Sequence, residues 1–218
     1  MSDLDLLAGI VGSDGHIQKL GGYSVYVINK DLEFLERIVI PLFIANTKKT
    51  PKISFISSGF SDGKYVVRVA SRDLWKTLVE QYNIPAGAKS KTIKPPQLFS
   101  IKNRKDYLCG WIAGDGSVTH DRMRAKVEIW SKNQEMIMWF KDVLREMDIE
   151  STCFLEKNKT EFILRIGRKE DVLKFYKTIQ IPHPEKQRKF DILIKKWIPD
   201  SSAIQNGVTV SVSSDVML

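Results

Sequence analysis

Two aspartates followed by glycine, Asp14-Gly15 and Asp115-Gly116, close two related stretches of small and apolar residues, LAGIVGSDG (7–15) and LCGWIAGDG (108–116), 101 residues apart. The spacing predicts that each stretch is helical and ends at its aspartate, with Gly15 and Gly116 suited to the left-handed conformation that terminates many helices. A carboxylate is misplaced there, because aligned peptide dipoles leave about half a negative charge at a helix C-terminus. One such Asp-Gly pair is an ordinary turn signal. Two copies at the same place in a repeat need another reason. If the helices run side by side in parallel, both carboxylates and both negative ends converge, and a divalent cation removes the conflict. Carboxylate and backbone carbonyl oxygens are hard donors that suit Mg²⁺, an ion that keeps several waters and takes phosphate oxygens as its remaining ligands.

The elements that must hold the two aspartates are repeated with them. Four-residue spacing places Ala8 with Gly12 and Gly9 with Ser13 on adjacent ridges of the first helix, and Cys109 with Ala113 and Gly110 with Gly114 on those of the second. Such smooth faces let two helix backbones approach closely. The larger Leu6, Ile10, Val11, Tyr107, Trp111 and Ile112 are left to anchor each helix in its own half. Beyond the motif, the alternating SVYVINK (24–30) matches KVEIWSK (126–132), and each leads into a segment of helical period. Paired strand candidates follow, at 52–71 and 152–168, and each half closes on an amphipathic helix ending in Ile-Pro, at Pro85 and Pro182. The fold class expected is α+β: two pseudo-symmetric αββαββα repeats with antiparallel sheets, packed through the two motif helices. The divisions are 1–85 for the first repeat, 86–105 for an extended linker containing Pro95 and Pro96, 106–183 for the second repeat, and 184–218 for a C-terminal extension.

Composition sets wider bounds. The chain of 218 residues is 43% apolar, enough for a substantial core, and carries a formal charge of +8, which permits a polyanionic partner. The basic residues cluster at 88–97, at 122–126 and at 185–196. No apolar run nears the roughly 20 residues of a membrane span, and the start MSDLDLL lacks a signal-peptide pattern, so the expected location is intracellular and cytoplasmic, without a membrane partner. Cys109 and Cys153 have no neighbour at metal-ligand spacing and are expected to pack as small hydrophobes.

LAGIVGSDG and LCGWIAGDG resemble the motifs of the LAGLIDADG homing endonucleases, in particular the single-chain members that carry two. The resemblance spans about residues 4–183. It implies a monomer that makes metal-dependent double-strand breaks at a long DNA target, as in intron homing, with the sheets of both halves forming a saddle over the major groove. It assigns Asp14 and Asp115 to the metal, together with the carbonyls of Ser13 and Gly114. It places Asn29, Lys30, Ser131 and Lys132 around the site, to organise water and offset charge. Mg²⁺ is the cofactor implied, with Mn²⁺ or Ca²⁺ able to replace it in binding. The earlier acid of the family motif is absent, its places taken by Gly12 and Ala113 on the helix interface. Two other readings use the same fold: a maturase whose partner is intron RNA, and a DNA-binding regulator that does not cut.

Strand alternation locates the DNA face. It turns Val25, Val27, Val127 and Ile129 to the core and leaves Ser24, Tyr26, Ile28, Lys126, Glu128 and Trp130 on the other side. In the later strands Arg68 and Arg165 occupy equivalent outward positions, where arginine can read guanine with two hydrogen bonds.

Overall fold

The computed structural model describes residues 3–121, 124–156 and 160–197. Arg122 and Met123, from the basic cluster at 122–126, and the tail after Trp197 lie outside the described residues. Helix α1 (Asp3–Asp14) is followed by β1 (Gly15–Ile17), β2 (Ser24–Asn29), a helix α2 over 32–47, β3 (Lys52–Ile56), β4 (Lys64–Ala70) and α3 (Arg72–Glu80). The order then repeats as α4 (Ile101–Asp115), β5 (Gly116–Asp121), β6 (Arg124–Ser131), α5 (Gln134–Glu146), β7 (Thr152–Leu155), β8 (Phe162–Ile166) and α6 (Lys169–Thr178), with one further helix, α7 (Pro184–Trp197). The two sheets are antiparallel and share one strand order, β1-β2-β4-β3 and β5-β6-β8-β7. This is the mixed α and β architecture of two antiparallel sheets that the repeat implies. Among the described residues no helix is long and apolar enough to cross a membrane.

Local sequence explains most element starts. Ser71 caps α3 by accepting a hydrogen bond from Leu74 N at 3.3 Å, and Asn133 caps α5 through Met136 N at 3.2 Å. Ser100 does the same for α4 through Asn103 N at 3.1 Å. Helix α4 therefore begins at Ile101, inside the stretch expected to be extended, because a capped start outweighs the Lys- and Pro-rich composition before it. Within α2, residues Leu35–Val39 take a π turn, which spares Pro41 the ordinary hydrogen-bond pattern it cannot join. The β-branched residues chosen by alternation, Val25, Val27, Val127 and Ile129, are completely buried beneath the helices.

The two motif helices meet in backbone contact. A methyl group on Gly9 would lie 2.0 Å from the Tyr107 carbonyl oxygen, and one on Gly110 would lie 2.1 Å from that of Leu6. Four residues further on, a methyl on Gly114 would lie 2.0 Å from Ser13 Oγ. The contacts advance together along both helices, so the helices run parallel and their C-termini meet. Two expectations are corrected. Tyr107 and Trp111 are not confined to their own half: both side chains come close to Gly12 across the interface, and Tyr107 also stacks near Tyr82 of the first repeat. Gly15 and Gly116 do not take the left-handed conformation: Gly116 is extended (φ −81°, ψ 154°), and both glycines open a strand. They are needed for room, since a side chain at Gly15 would lie 2.5 Å from Val11 Cα and one at Gly116 would lie 2.6 Å from the Ile112 carbonyl oxygen.

Candidate active site at the paired helix ends

Asp14 and Asp115 close the two parallel helices, so the contact between Ser13 and Gly114 brings their carboxylates to one place. A methyl on Gly114 would stand 3.1 Å from the Asp14 carboxyl carbon, which shows how closely that side chain overlies the end of α4. Asn29, at the end of β2, donates from Nδ2 to Asp14 Oδ2 at 2.7 Å, while its Oδ1 accepts from Asp31 N at 2.9 Å. It both orients the aspartate and turns the chain into α2. The second half does this differently. Ser131 Oγ accepts from Asn133 N at 3.1 Å and serves the turn into α5.

The cations that answer the helix dipoles are two lysines that sequence reasoning did not single out. Lys89, in the stretch between the repeats, donates from Nζ to the carbonyl oxygens of Val11, Gly12 and Ser13 at 2.6, 2.8 and 2.6 Å. Lys186, in the first turns of α7, does the same to Ile112 and Ala113 at 3.1 and 2.7 Å and to Gly114. Each lysine sits four residues beyond an Ile-Pro pair, in IPAGAK (84–89) and IPHPEK (181–186), so a repeated signal was present. The carbonyls expected to face a metal therefore each already hold an ammonium group; the second lone pair of each oxygen is the one left for another partner.

Around these ends lie two recesses of about 340 and 310 Å³. One is lined by Asp14, Asn29, Lys30, Lys64 and Lys186, the other by Asp115, Lys89, Ser131, Lys132 and Glu161. The arrangement is crossed: the aspartate of each motif shares its recess with the lysine that caps the opposite helix. Electrostatics follow from this crowding. Burial raises the Asp14 carboxyl above its ordinary range, against the lowering effect of the Asn29 hydrogen bond and of Lys186 and Lys89. Asp115 is pushed up to about 6, first by burial and then by the nearby Asp14 charge. Its side chain still reaches solvent from a recess whose walls remove much of the surrounding water. Lys89 and Lys186 are each lowered to about 8, because loss of hydration outweighs the pull of the two aspartates.

This donor set fits a hard divalent ion. Two carboxylates of raised pKa, at the negative ends of two parallel helices in contact, are a pair that a cation stabilises. Among the described residues no group of three or more His, Cys, Asp or Glu side chains could hold a metal, so an ion here would depend on the paired aspartates, backbone oxygens, water and substrate.

Residues 103–180 match the family model of the LAGLIDADG-like domain. The chain carries a LAGLIDADG-like domain. It is 22% identical over 201 residues to homing endonuclease I-ApeI of Aeropyrum pernix, with 88% of this chain and 87% of that protein covered. Structures of homing endonuclease I-DmoI superpose on it at TM-score 0.63 with 18% identity, covering 87% of this chain and 97% of theirs. I-DmoI has been solved in complex with DNA and calcium and in complex with DNA and manganese, and a single-substitution variant of it with its target DNA in the presence of magnesium. Full-length DUF199/WhiA of Thermatoga maritima shares the fold at TM-score 0.57 and 15% identity, over 90% of this chain and 61% of its own.

The outer faces of the two sheets are not equally open. Tyr26 and Ile28 are half-buried on the outer face of β2, but Ser24 is covered, because the Arg68 guanidinium donates to its Oγ at 3.2 and 3.0 Å. Arg68 also lies over the Tyr26 ring, 5.3 Å from its centre. In the second sheet Glu128 is covered in turn: Arg165 approaches its Oε1 at 2.7 Å through Nε and NH2, and Lys126 lies at 3.4 Å. Trp130 is half-buried, and its carbonyl accepts from Trp111 Nε1 at 3.2 Å. Lys30 and Lys132 are exposed at the rims of the recesses, Lys132 at 3.7 Å from Glu161.

Proposed function

We propose that this protein is a site-specific DNA endonuclease of the homing type, which makes a metal-dependent double-strand break in a long target. The observation that carries the proposal is the crossed pair of Asp–Lys recesses at the ends of two parallel helices within one chain. Two phosphodiesters, one on each strand, call for two such stations close together and related by near-twofold symmetry. The fold and the DNA complexes of I-DmoI support the same reading, as does the relation to I-ApeI.

In this reading Asp14 and Asp115 hold the divalent ions, which when bound polarise the phosphate and lower the pKa of an attacking water. The remaining work belongs to the chain's own groups. Asn29 holds the Asp14 carboxylate through Oδ2, which leaves Oδ1 for an ion. Lys89 and Lys186 keep a positive charge at each helix end, where charge builds on the phosphate oxygens in the transition state. Lys30 and Lys132, at the rims, are placed to hold the incoming backbone. The outer strands read the bases, with Tyr26, Ile28, Arg68, Lys126, Trp130 and Arg165 as contacts, and Ser24 and Glu128 acting through the arginines they hold.

The test is binding and cutting of a duplex target recovered by selection from random sequences, in Mg²⁺ and in chelator. Cutting of both strands in Mg²⁺ alone is expected, and Asp14→Asn should abolish it while leaving affinity within a few-fold. Tight, sequence-specific binding without cutting in Mg²⁺ would replace the nuclease by a DNA-binding regulator on the same fold.

A further inference from the structure

The two recesses carry opposite charges at one position of the repeat. Lys64 opens β4 and lines the Asp14 recess, and 97 residues later Glu161 stands just before β8 and lines the Asp115 recess. Register supports the equivalence as well as spacing: Tyr65, next to Lys64, pairs with Asn29, and Phe162, next to Glu161, pairs with Ser131. The exchange changes the balance of each recess. Four lysines face three carboxylates around Asp14, whereas two lysines face two carboxylates around Asp115. Glu161 acts twice, since it also lies 3.7 Å from Lys132 and engages the rim lysine of its own recess.

We infer that this exchange sets an order of cutting: the strand served by Asp14 is hydrolysed first, the strand served by Asp115 second, through a nicked intermediate. The inference rests on the nuclease reading above. A phosphodiester arrives with one negative charge and gathers more on its oxygens as water attacks, so a cation within reach favours the step and a carboxylate opposes it. At the rim of a partly water-excluded recess, one unit charge alters such a step by roughly tenfold or more at low salt. Lys64 and Glu161 are half-buried at the starts of equivalent strands, outside the helix interface that builds the fold. Their charge can be changed there without opening the core.

The experiment uses the full-length protein in excess over a selected duplex whose strands bear different fluorophores, with Mg²⁺ added at time zero. One strand is expected to be cut about tenfold faster than the other, with nicked duplex accumulating between. Lys64→Gln should slow only the faster strand, and Glu161→Gln should speed only the slower one, each by roughly tenfold, while Glu161→Asp keeps the order. The double exchange Lys64→Glu with Glu161→Lys should reverse it. Binding in chelator, read by anisotropy, supplies a measure independent of turnover: Glu161→Gln should tighten and Lys64→Gln should weaken it by about two- to fivefold, less at high salt. Equal strand rates in the unaltered protein, both strands responding alike to Glu161→Gln, or affinities that ignore both substitutions would each overturn the inference. Absence of cutting in either strand would instead overturn the nuclease reading.

Discussion

Asp14 and Asp115 end equivalent helices but are held differently, and the difference has consequences at the bench. Asp14 receives the Asn29 amide, whereas Asp115 sits beside Glu161 and is raised to about 6. A protonated carboxyl cannot hold a divalent ion, so cutting should fall about tenfold per pH unit below roughly pH 6, and added Mg²⁺ should move that limb to lower pH because ion and proton compete. Lys89 and Lys186, lowered to about 8, lose their charge above that value, so the rate should also decline on the alkaline side. A pH–rate profile between about pH 5 and 9.5 checks both limbs; a rate indifferent to pH below 6 would remove Asp115 from the site. The two lysines also separate function from stability. Their folded pKa lies below the unfolded value, so the charged form is disfavoured by folding; that cost is fully present below about pH 8 and is relieved as pH rises toward the unfolded value. Lys89→Met and Lys186→Met should therefore change stability at pH 7 by no more than about 1 kcal/mol in urea titration, the lost carbonyl contacts being offset by the relieved burial. Cutting should drop by about a hundredfold or more, the size expected when a donor to developing negative charge is removed.

Among the elements, the paired helices carry the sharpest stability prediction. Gly9→Ala puts a methyl where the Tyr107 carbonyl stands 2.0 Å away, and neither backbone can yield without separating the halves. It should cost about 2–3 kcal/mol or more in urea unfolding, and nearly as much at Gly110, whereas Ala at solvent-facing Gly63 should disturb packing little, with only its positive φ of 74° to oppose it. The importance of Gly9, Gly110 and the strand faces was legible in the sequence, because a repeat states each pattern twice and helical and strand periods differ. Three features were not. Lys89 and Lys186 were not legible because equivalent residues lie in unlike conformations, one at the start of a turn and one in a helix, although both follow Ile-Pro by four residues. Alternation put Ser24 and Glu128 on the outer face but could not show that a long arginine from the neighbouring strand lies across each, which depends on register. Composition spoke for an extended linker up to 105, while the single Ser100 cap started α4 earlier.

For the whole molecule, one chain provides two unlike recesses on a common frame. The frame is closed by the backbone contact of α1 with α4 and by α7, whose N-terminal end reaches the first repeat: Arg188 pairs with Glu33 at 2.7 Å and His183 stacks on Phe34 with ring centres 4.5 Å apart. Lys186 is thus carried to the Asp14 recess by a helix that touches both halves. A monomer should bind one duplex, and the two halves should differ in how they recognise it. In the second half the Arg165 guanidinium is fixed by Glu128 on one edge and lies over Phe154, 4.6 Å from the ring centre, with its side chain 38% exposed. Two of its five donors serve Glu128, which leaves another edge preset for a base such as guanine if the proposed function holds, and little rotamer freedom remains to be lost on binding. Arg165→Ala should therefore relax base preference at one position of one half-site by about 1–3 kcal/mol, leaving the other half-site and the salt dependence unchanged. Arg68→Ala should do the same in the opposite half. Neutralising Lys30 or Lys132 should instead weaken binding to every sequence alike and flatten the log–log salt slope by about 0.9 for each phosphate lost. Selection profiles for the four variants separate these outcomes: if the arginine variants weakened all sequences uniformly, both arginines would be phosphate contacts and base reading would have to lie in the remaining outer-face side chains.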